Sequence, residues 1–261
     1  MHGIGSRDGD RRIDWSGASD DYLRHRPGPP EVWYTLLASS GALPAGARVL
    51  DLGTGVGHVA RTLAGRGHAV AGVDLAEGQV AAARSAAREQ GLEVDFRVAP
   101  AEALPFEEHR FDVATAHQCW LYFGPRQVAE ELRRVLVPGG RLITGNTSWL
   151  PREDPLVHAT EQLILDFNPD WSAAGWSGEV PTRPAWAADL VQWRGCFVVD
   201  VDLPFDRAGW RGRIRASRGI GATLEPAEVE RFDAAHAELL ERLVPDRFTV
   251  RHRVDAHWFD L

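Results

Sequence analysis

Residues Val49-Leu-Asp-Leu-Gly-Thr-Gly-Val-Gly-His-Val-Ala60 decide how the rest of the chain is read. An apolar run ends in an acid, Asp51, and passes into three alternate glycines, Gly53, Gly55 and Gly57, before a helix-forming stretch. Glycine allows a tight strand-to-helix turn and close approach of backbone to a ligand, and the first turn of the helix offers free N–H groups. A nucleotide-like ligand is the natural guest of such a crevice. The dinucleotide spacing Gly-x-Gly-x-x-Gly would put its third glycine at position 58, which is His58. The acid at Asp51 repels a pyrophosphate and suits a cationic ligand better.

Outward from this loop, short apolar strands alternate with helices. Strands are expected at 47–52, 69–73, 93–98, 111–116 and 141–145, and helices at 30–40, 58–64, 78–90 and 125–136, with a turn at Val137-Pro-Gly-Gly. That rhythm indicates a parallel sheet covered on both faces. Beyond residue 146 the expected order is a helix at 156–167, an ordered loop at 168–184, a helix at 186–193 and a strand at 197–203. A helix at 226–244 places Val229, Phe232, Leu239 and Leu243 on one side, and a last strand runs through Phe248, Val250, His252 and Val254. Residues 1–14 read as a flexible tail and 15–261 as one domain, with a core at 45–146 and cap or lid elements at 15–44, 147–195 and 205–246.

Composition narrows the partners. The 261 residues carry a formal charge of −8, 29 basic residues that are all arginine, and ten tryptophans. The negative balance argues against nucleic acid, and the absence of lysine excludes a Schiff-base or Walker-type lysine. No apolar run is long enough to cross a membrane, the N-terminus lacks a signal-peptide pattern, and Cys119 and Cys196 show no metal or disulfide spacing. A cytoplasmic setting with no metal is the expectation. Only Trp120 lies within 45–145, so the tryptophan excess sits in the segments that would cap the sheet.

Asp74 ends the second strand, 21 residues after Gly53, where a carboxylate can accept both hydroxyls of a ribose. Ala101-Glu-Ala-Leu-Pro-Phe106, Phe111-Asp-Val before His117, and Arg134-Val-Leu-Val-Pro-Gly-Gly140 follow in order. Together with the glycine loop these resemble a class I S-adenosylmethionine-dependent methyltransferase of the broad small-molecule type, over roughly residues 20–146. The resemblance implies a Rossmann-like, doubly wound, mostly parallel seven-stranded sheet with an antiparallel last strand and a helical insertion before it. It implies S-adenosylmethionine as cofactor and S-adenosylhomocysteine as product. Asp51, Gly53, Gly55 and Gly57 would line the methionine part, Asp74 the ribose, and Leu75, Ala101 and Glu102 the adenine. His117 would sit beside the methyl group, and Tyr22 and Arg26 would close over the cofactor.

The motif after the fourth strand, His117-Gln-Cys-Trp-Leu-Tyr-Phe123, is not the Asn/Asp-Pro-Pro-Tyr of base-amine methylation. Asn168-Pro-Asp-Trp171 lies in the wrong place for that role, Cys119 reads as a packing cysteine, and His252 as a core histidine. His117 is the candidate catalytic group, either a base or a cofactor contact. Gln118, Trp120, Trp149, Trp171, Trp210, Arg213 and Arg215 are candidate substrate contacts, for an aromatic or anionic small molecule. Trp210-Arg-Gly-Arg-Ile-Arg-Ala-Ser217 resembles an element of a bacterial subgroup, whose His-Trp pair after strand four is Leu121-Tyr122 here. The expected function is methyl transfer to O, N or C of a small molecule in specialised metabolism. Cyclisation releasing methylthioadenosine, and non-catalytic binding, are the alternatives.

Overall fold

The computed structural model describes residues 7–8, 11–13 and 25–261. The main sheet contains β1 (Arg48–Leu52), β2 (Ala69–Asp74), β3 (Val94–Val98), β4 (Phe111–His117), β5 (Leu136–Trp149), β6 (Gln192–Asp206) and β7 (Arg247–Asp260). Their spatial order is β3-β2-β1-β4-β5-β7-β6. β1 to β5 are parallel, and β7 lies antiparallel between β5 and β6. The strand order reverses between β1 and β4, and a crevice opens beyond their C-terminal ends.

Alternation along β1 sends Val49 to one face and Leu50 to the other. The first face packs on α1 (Glu31–Ser39), α2 (His58–Gly65) and α3 (Glu77–Glu89) through Trp33, Leu37, Leu63 and Val80. The second packs on α4 (Pro125–Val135) through Val128 and Leu132, together with Phe106 and Phe259. A third cluster belongs to α5 (Pro155–Phe167), α6 (Arg207–Arg215) and α7 (Pro226–Leu243), with Ile164, Trp210, Ile214, Phe232 and Leu240 buried together. This helical insertion precedes the antiparallel β7, as expected.

Local chemistry sets the ends of these helices. Asp154 accepts the N–H groups of Leu156 and Val157 at the start of α5, and Glu225 and Glu228 form a capping box on α7. Asp206 caps α6 through Gly209 N–H, which with the buried Trp210 and Ile214 holds the helix despite its two glycines.

Several expectations are corrected. Residues 186–193 are not a helix: a single 3-10 turn, Ala185–Ala187, precedes β6, which pairs with β7 as far as Gln192 opposite Asp260. The Pro-Gly-Gly turn is absorbed into β5, where the register jumps from Phe111–Leu136 to Val113–Arg141. The buried face of α7 is Phe232, His236 and Leu240, while Leu243 is 49% exposed. Within the segment expected to be loose, Arg7–Asp8 pair with Arg11–Arg12, Arg11 bonds Glu228 on α7, and Ile13 is buried.

Candidate active site

Gly53, Gly55 and Gly57 have φ of 56°, 55° and 78°, all left-handed. This is the physical reason for their spacing, since other residues pay strain at each of these positions. A Cβ on Gly57 would stand 2.8 Å from Phe96 Cζ, and one on Gly53 would stand 2.8 Å from Cys119 Cβ. The turn therefore lies tight against β3 and the segment after β4.

Two carboxylates organise the turn from below. Asp51 is 2% exposed, and its oxygens accept the hydroxyls of Thr54 (2.7 Å) and Thr115 (2.8 Å). Burial pushes its pKa up to about 6 against these hydrogen bonds. Asp74, at the end of β2, accepts Gly55 N–H and Ala76 N–H, both at 2.9 Å. Burial raises its pKa as well. Asp74 thus holds the middle of the glycine turn and the start of α3, and it also lines a cavity.

That cavity measures about 270 Å³ and is lined by Gly53, Gly55, Asp74, Leu75, Ala101 and Glu102, with Arg26, His117, Gln118 and Tyr122 at its mouth. Leu75 is 71% exposed there, an apolar surface at the rim of a polar crevice. Glu102 accepts Gly124 N–H at 2.9 Å and so also anchors the start of α4. A recess of about 30 Å³ continues from it, lined by Asp51, Thr54, His58 and Arg26. Gln79 lines the larger space, is 4% exposed, and has an Oε1 with no hydrogen-bond partner among the described residues. A buried amide left open toward a cavity fits a ligand rich in hydroxyls and ring nitrogens. The residues present therefore fit a sulfonium nucleoside: carboxylate for ribose, apolar rim for the base, glycine backbone for the amino-acid end. Gln79 was not foreseen, and its place in the first turn of α3, just after the strand end at Asp74, was the available signal. Gly57 does not line either space and acts through the turn alone. Tyr22 lies outside the described residues.

A second cavity, of about 620 Å³, meets the first at Arg26, Gln118 and Tyr122. Gln118 is the hinge of the two. Its φ is 59°, rare for a residue with a side chain, and its N–H donates to Gly145 O at 2.8 Å. Its side chain receives Arg26 Nη2 on Oε1 (2.8 Å) and donates to Thr147 O. Trp120, Trp149, Trp171, Trp176 and Trp186 line the larger cavity. Trp120 packs on Trp186 with ring centroids 4.5 Å apart, and the Trp171 indole N–H has no partner among the described residues. Trp149 is locked by Glu161, whose second oxygen accepts Gly175 N–H, each at 2.7 Å. One buried carboxylate on α5 thus fixes both the cavity wall and the loop above it, and burial raises its pKa.

Several expected contacts stand elsewhere. His117 lines only the 270 Å³ cavity and its recess, not the larger one. Its ring packs edge-on to Trp33 at 5.3 Å and pairs with Thr147 Oγ1 at 3.2 Å. Burial, with Arg26 and His58 nearby, lowers its pKa to about 3, so the ring is neutral and a weak base at neutral pH. Of the two roles read for His117, a base or a cofactor contact, its place on the smaller cavity favours the contact. Trp210 is fully buried in the cap core, behind Trp149 at 5.7 Å, and does not line the cavity. Arg215 turns away to Asp233 (2.6 Å), which also holds Arg211, so it does not reach the cavity either. Arg213 does: it is 5% exposed and lies over the Trp149 ring at 4.9 Å.

Asn168, His252 and Cys119 make structural contacts. Asn168 donates to Gly219 O at 2.9 Å, and His252 donates through Nδ1 to Val250 O at 2.9 Å. Cys119 is buried, donates to Leu52 O, and burial pushes its thiol pKa up. Among the described residues no cluster has the make-up of a metal site, and no helix is long and apolar enough to cross a membrane.

The sheet order, glycine turn and acidic strand end define a Rossmann-like domain. Residues 50–144 match the family described as a methyltransferase domain. Over that stretch the chain is similar to methyltransferase domains. Demethylmenaquinone methyltransferase of Thermus thermophilus is 45% identical over 104 residues, which cover 37% of this chain and 45% of that protein. Ubiquinone biosynthesis O-methyltransferase of Ruegeria pomeroyi is 32% identical over 133 residues, which cover 49% of this chain and 54% of that protein. The likeness spans about half the length of these relatives. A solved structure from Anaeromyxobacter dehalogenans has the same fold, with a TM-score of 0.61 at 23% identity over 90% of this chain and 97% of that one.

Proposed function

We propose that this chain transfers the methyl group of S-adenosylmethionine to a small molecule held in the 620 Å³ cavity. The observation that carries the reading is the junction at Arg26, Gln118 and Tyr122, where a nucleoside-shaped cavity and a tryptophan-walled one share lining residues. The cofactor supplies an activated sulfonium methyl, so the protein's task is to align a nucleophile and exclude water. Asp74 accepts the ribose hydroxyls while its backbone bonds keep it in place. Gln79 completes the polar side, and Leu75, Ala101 and Glu102 frame the adenine. The glycine turn, Asp51 and Arg26 receive the amino-acid end. Gln118, fixed from three sides, sets the boundary between donor and acceptor.

The aromatic walls support a planar, largely apolar acceptor. The names of the two curated relatives, both drawn from quinone biosynthesis, point the same way. Placing the acceptor in specialised metabolism rests on the resemblance alone. The two free cysteines, one of them buried, suit a reducing cytoplasm, and the net negative charge suits a small-molecule rather than a nucleic-acid acceptor.

Incubation with labelled S-adenosylmethionine and a metabolite extract tests the proposal. Label appearing on a small molecule together with S-adenosylhomocysteine is expected. Methylthioadenosine as the product would transfer the fold to cyclisation chemistry, and binding without any turnover would make it a sensor.

A further inference from the structure

Two polar side chains of β7 stand in the acceptor cavity without an assigned task. Asp255 and His257 lie two residues apart on one face of the strand, opposite Asn146 and Thr144 of β5. They are 2% and 4% exposed, yet both line the 620 Å³ cavity. Ala256 between them pairs with Gly145, whose carbonyl accepts the Gln118 N–H. The pair therefore stands beside the point where the two cavities meet.

The protonation of this pair follows from its neighbours. His257 Nε2 lies 2.8 Å from Pro181 O. A carbonyl only accepts, so Nε2 carries the proton, an assignment made from the partner. In the neutral ring Nδ1 is then an acceptor. It lies 3.7 Å from Asp255 Oδ1, too far for a hydrogen bond. Asn146 Nδ2 approaches the same oxygen at 3.3 Å. Two nearly buried acceptors thus stand 3.7 Å apart at the cavity wall, and among the described residues Oδ1 has a donor in Asn146 while Nδ1 has none. Buried acceptors require donors, and here the open side is the side of the ligand.

We propose that Asp255 and His257 recognise and deprotonate a hydroxyl carried by a planar aromatic acceptor. The inference rests on the methyl-transfer reading above. The hydroxyl O–H lies across Oδ1 and Nδ1. Its proton passes to Nδ1 as the oxygen forms the new O–CH3 bond. The S–CH3 bond breaks with its electron pair left on sulfur, so sulfonium becomes thioether. The imidazolium is balanced by the Asp255 carboxylate. Trp120 with Trp186, and Trp149 with Trp171, supply the walls that make a flat ring system the fitting carrier of that hydroxyl.

Calorimetric titration of the full chain, saturated with S-adenosylhomocysteine, with 2-naphthol and with 2-methoxynaphthalene separates the outcomes. The two probes share a ring system, but only the first brings a hydroxyl proton. The expected result is at least tenfold tighter binding of 2-naphthol. In Asp255→Asn and His257→Gln that preference is expected to fall below twofold, with S-adenosylhomocysteine affinity unchanged. Equal binding of the two probes by the unmodified chain, or no binding of 2-naphthol, overturns the proposal, and neither result depends on a variant that folds. A preference that persists in both variants overturns it as well. Failure to bind S-adenosylhomocysteine at the outset would instead remove the methyl-transfer reading itself.

Discussion

The two cavities that meet at Gln118 are made from different materials. The smaller is built from backbone: a turn of three left-handed glycines, two of which line it, and carboxylates held by main-chain N–H groups and threonine hydroxyls. The larger is built from side chains, with five tryptophans and Arg213 brought in from β5, α6 and the loops around them. A backbone-built site serves one unvarying ligand, because its geometry is fixed by φ and ψ. A side-chain-built site is reshaped by substitution without disturbing the sheet. The separate hydrophobic core of the cap makes the division physical as well as functional.

The strongest test of that division is Trp210→Ala. Removing a fully buried indole from the cap core is expected to cost about 3–5 kcal/mol of stability by denaturant unfolding. S-adenosylhomocysteine affinity should stay within about twofold at low denaturant. A parallel loss of affinity would show that the two halves do not act separately.

Asp51 gives the next largest effect, through pH. Its pKa is raised from 3.8 to about 6, so the folded state holds its proton more tightly than the unfolded chain does. Its contribution to stability is therefore full below the ordinary carboxyl range and is lost as pH rises through about 6. At roughly 1.4 kcal/mol per pKa unit the change is about 3 kcal/mol. The stability difference between the unmodified chain and Asp51→Asn, measured by unfolding from pH 3.5 to 7.5, should move by about that amount against the unmodified chain. A flat difference would place Asp51 in contact with water.

Gly57→Ala sharpens the claim that the turn is set by backbone. With φ at 78° and a new Cβ 2.8 Å from Phe96 Cζ, a loss of about 1–3 kcal/mol is expected in thermal or denaturant unfolding. Arg215→Ala is the smallest. Its partly exposed pair with Asp233 is worth at most about 1 kcal/mol, and S-adenosylhomocysteine affinity should not change.

The same difference in materials explains what the sequence disclosed. A left-handed turn demands glycine, so Gly53, Gly55 and Gly57 announce themselves, and Asp74 follows at a spacing that strand and helix lengths dictate. The parallel strands were legible from the alternation of strand and helix, and the antiparallel β7 from the family resemblance. The acceptor cavity was not. Trp149 and Trp210 are both tryptophans of the cap, yet one is wall and the other core, and only packing around Glu161 and Thr160 separates them. Arg213 and Arg215 are two residues apart on α6, so they point to different sides, and the helix phase decided which reached the cavity. Asp255 and His257 lie beyond the alternation read through Val254. Their meeting with Asn146 depends on a ladder between strands more than 100 residues apart in sequence. His117 sits where a strand-end residue was expected, but its ring turned toward Trp33.

In the proposed reaction the glycine-turn cavity holds S-adenosylmethionine through the Asp74 carboxylate. Titration calorimetry with S-adenosylhomocysteine on the unmodified chain and on Asp74→Ala tests it most directly. Binding by the former is expected, with a loss of about 1.5–3 kcal/mol in the latter, roughly tenfold to 150-fold in affinity. Equal affinity in the two proteins, or no binding by the unmodified chain, would contradict it.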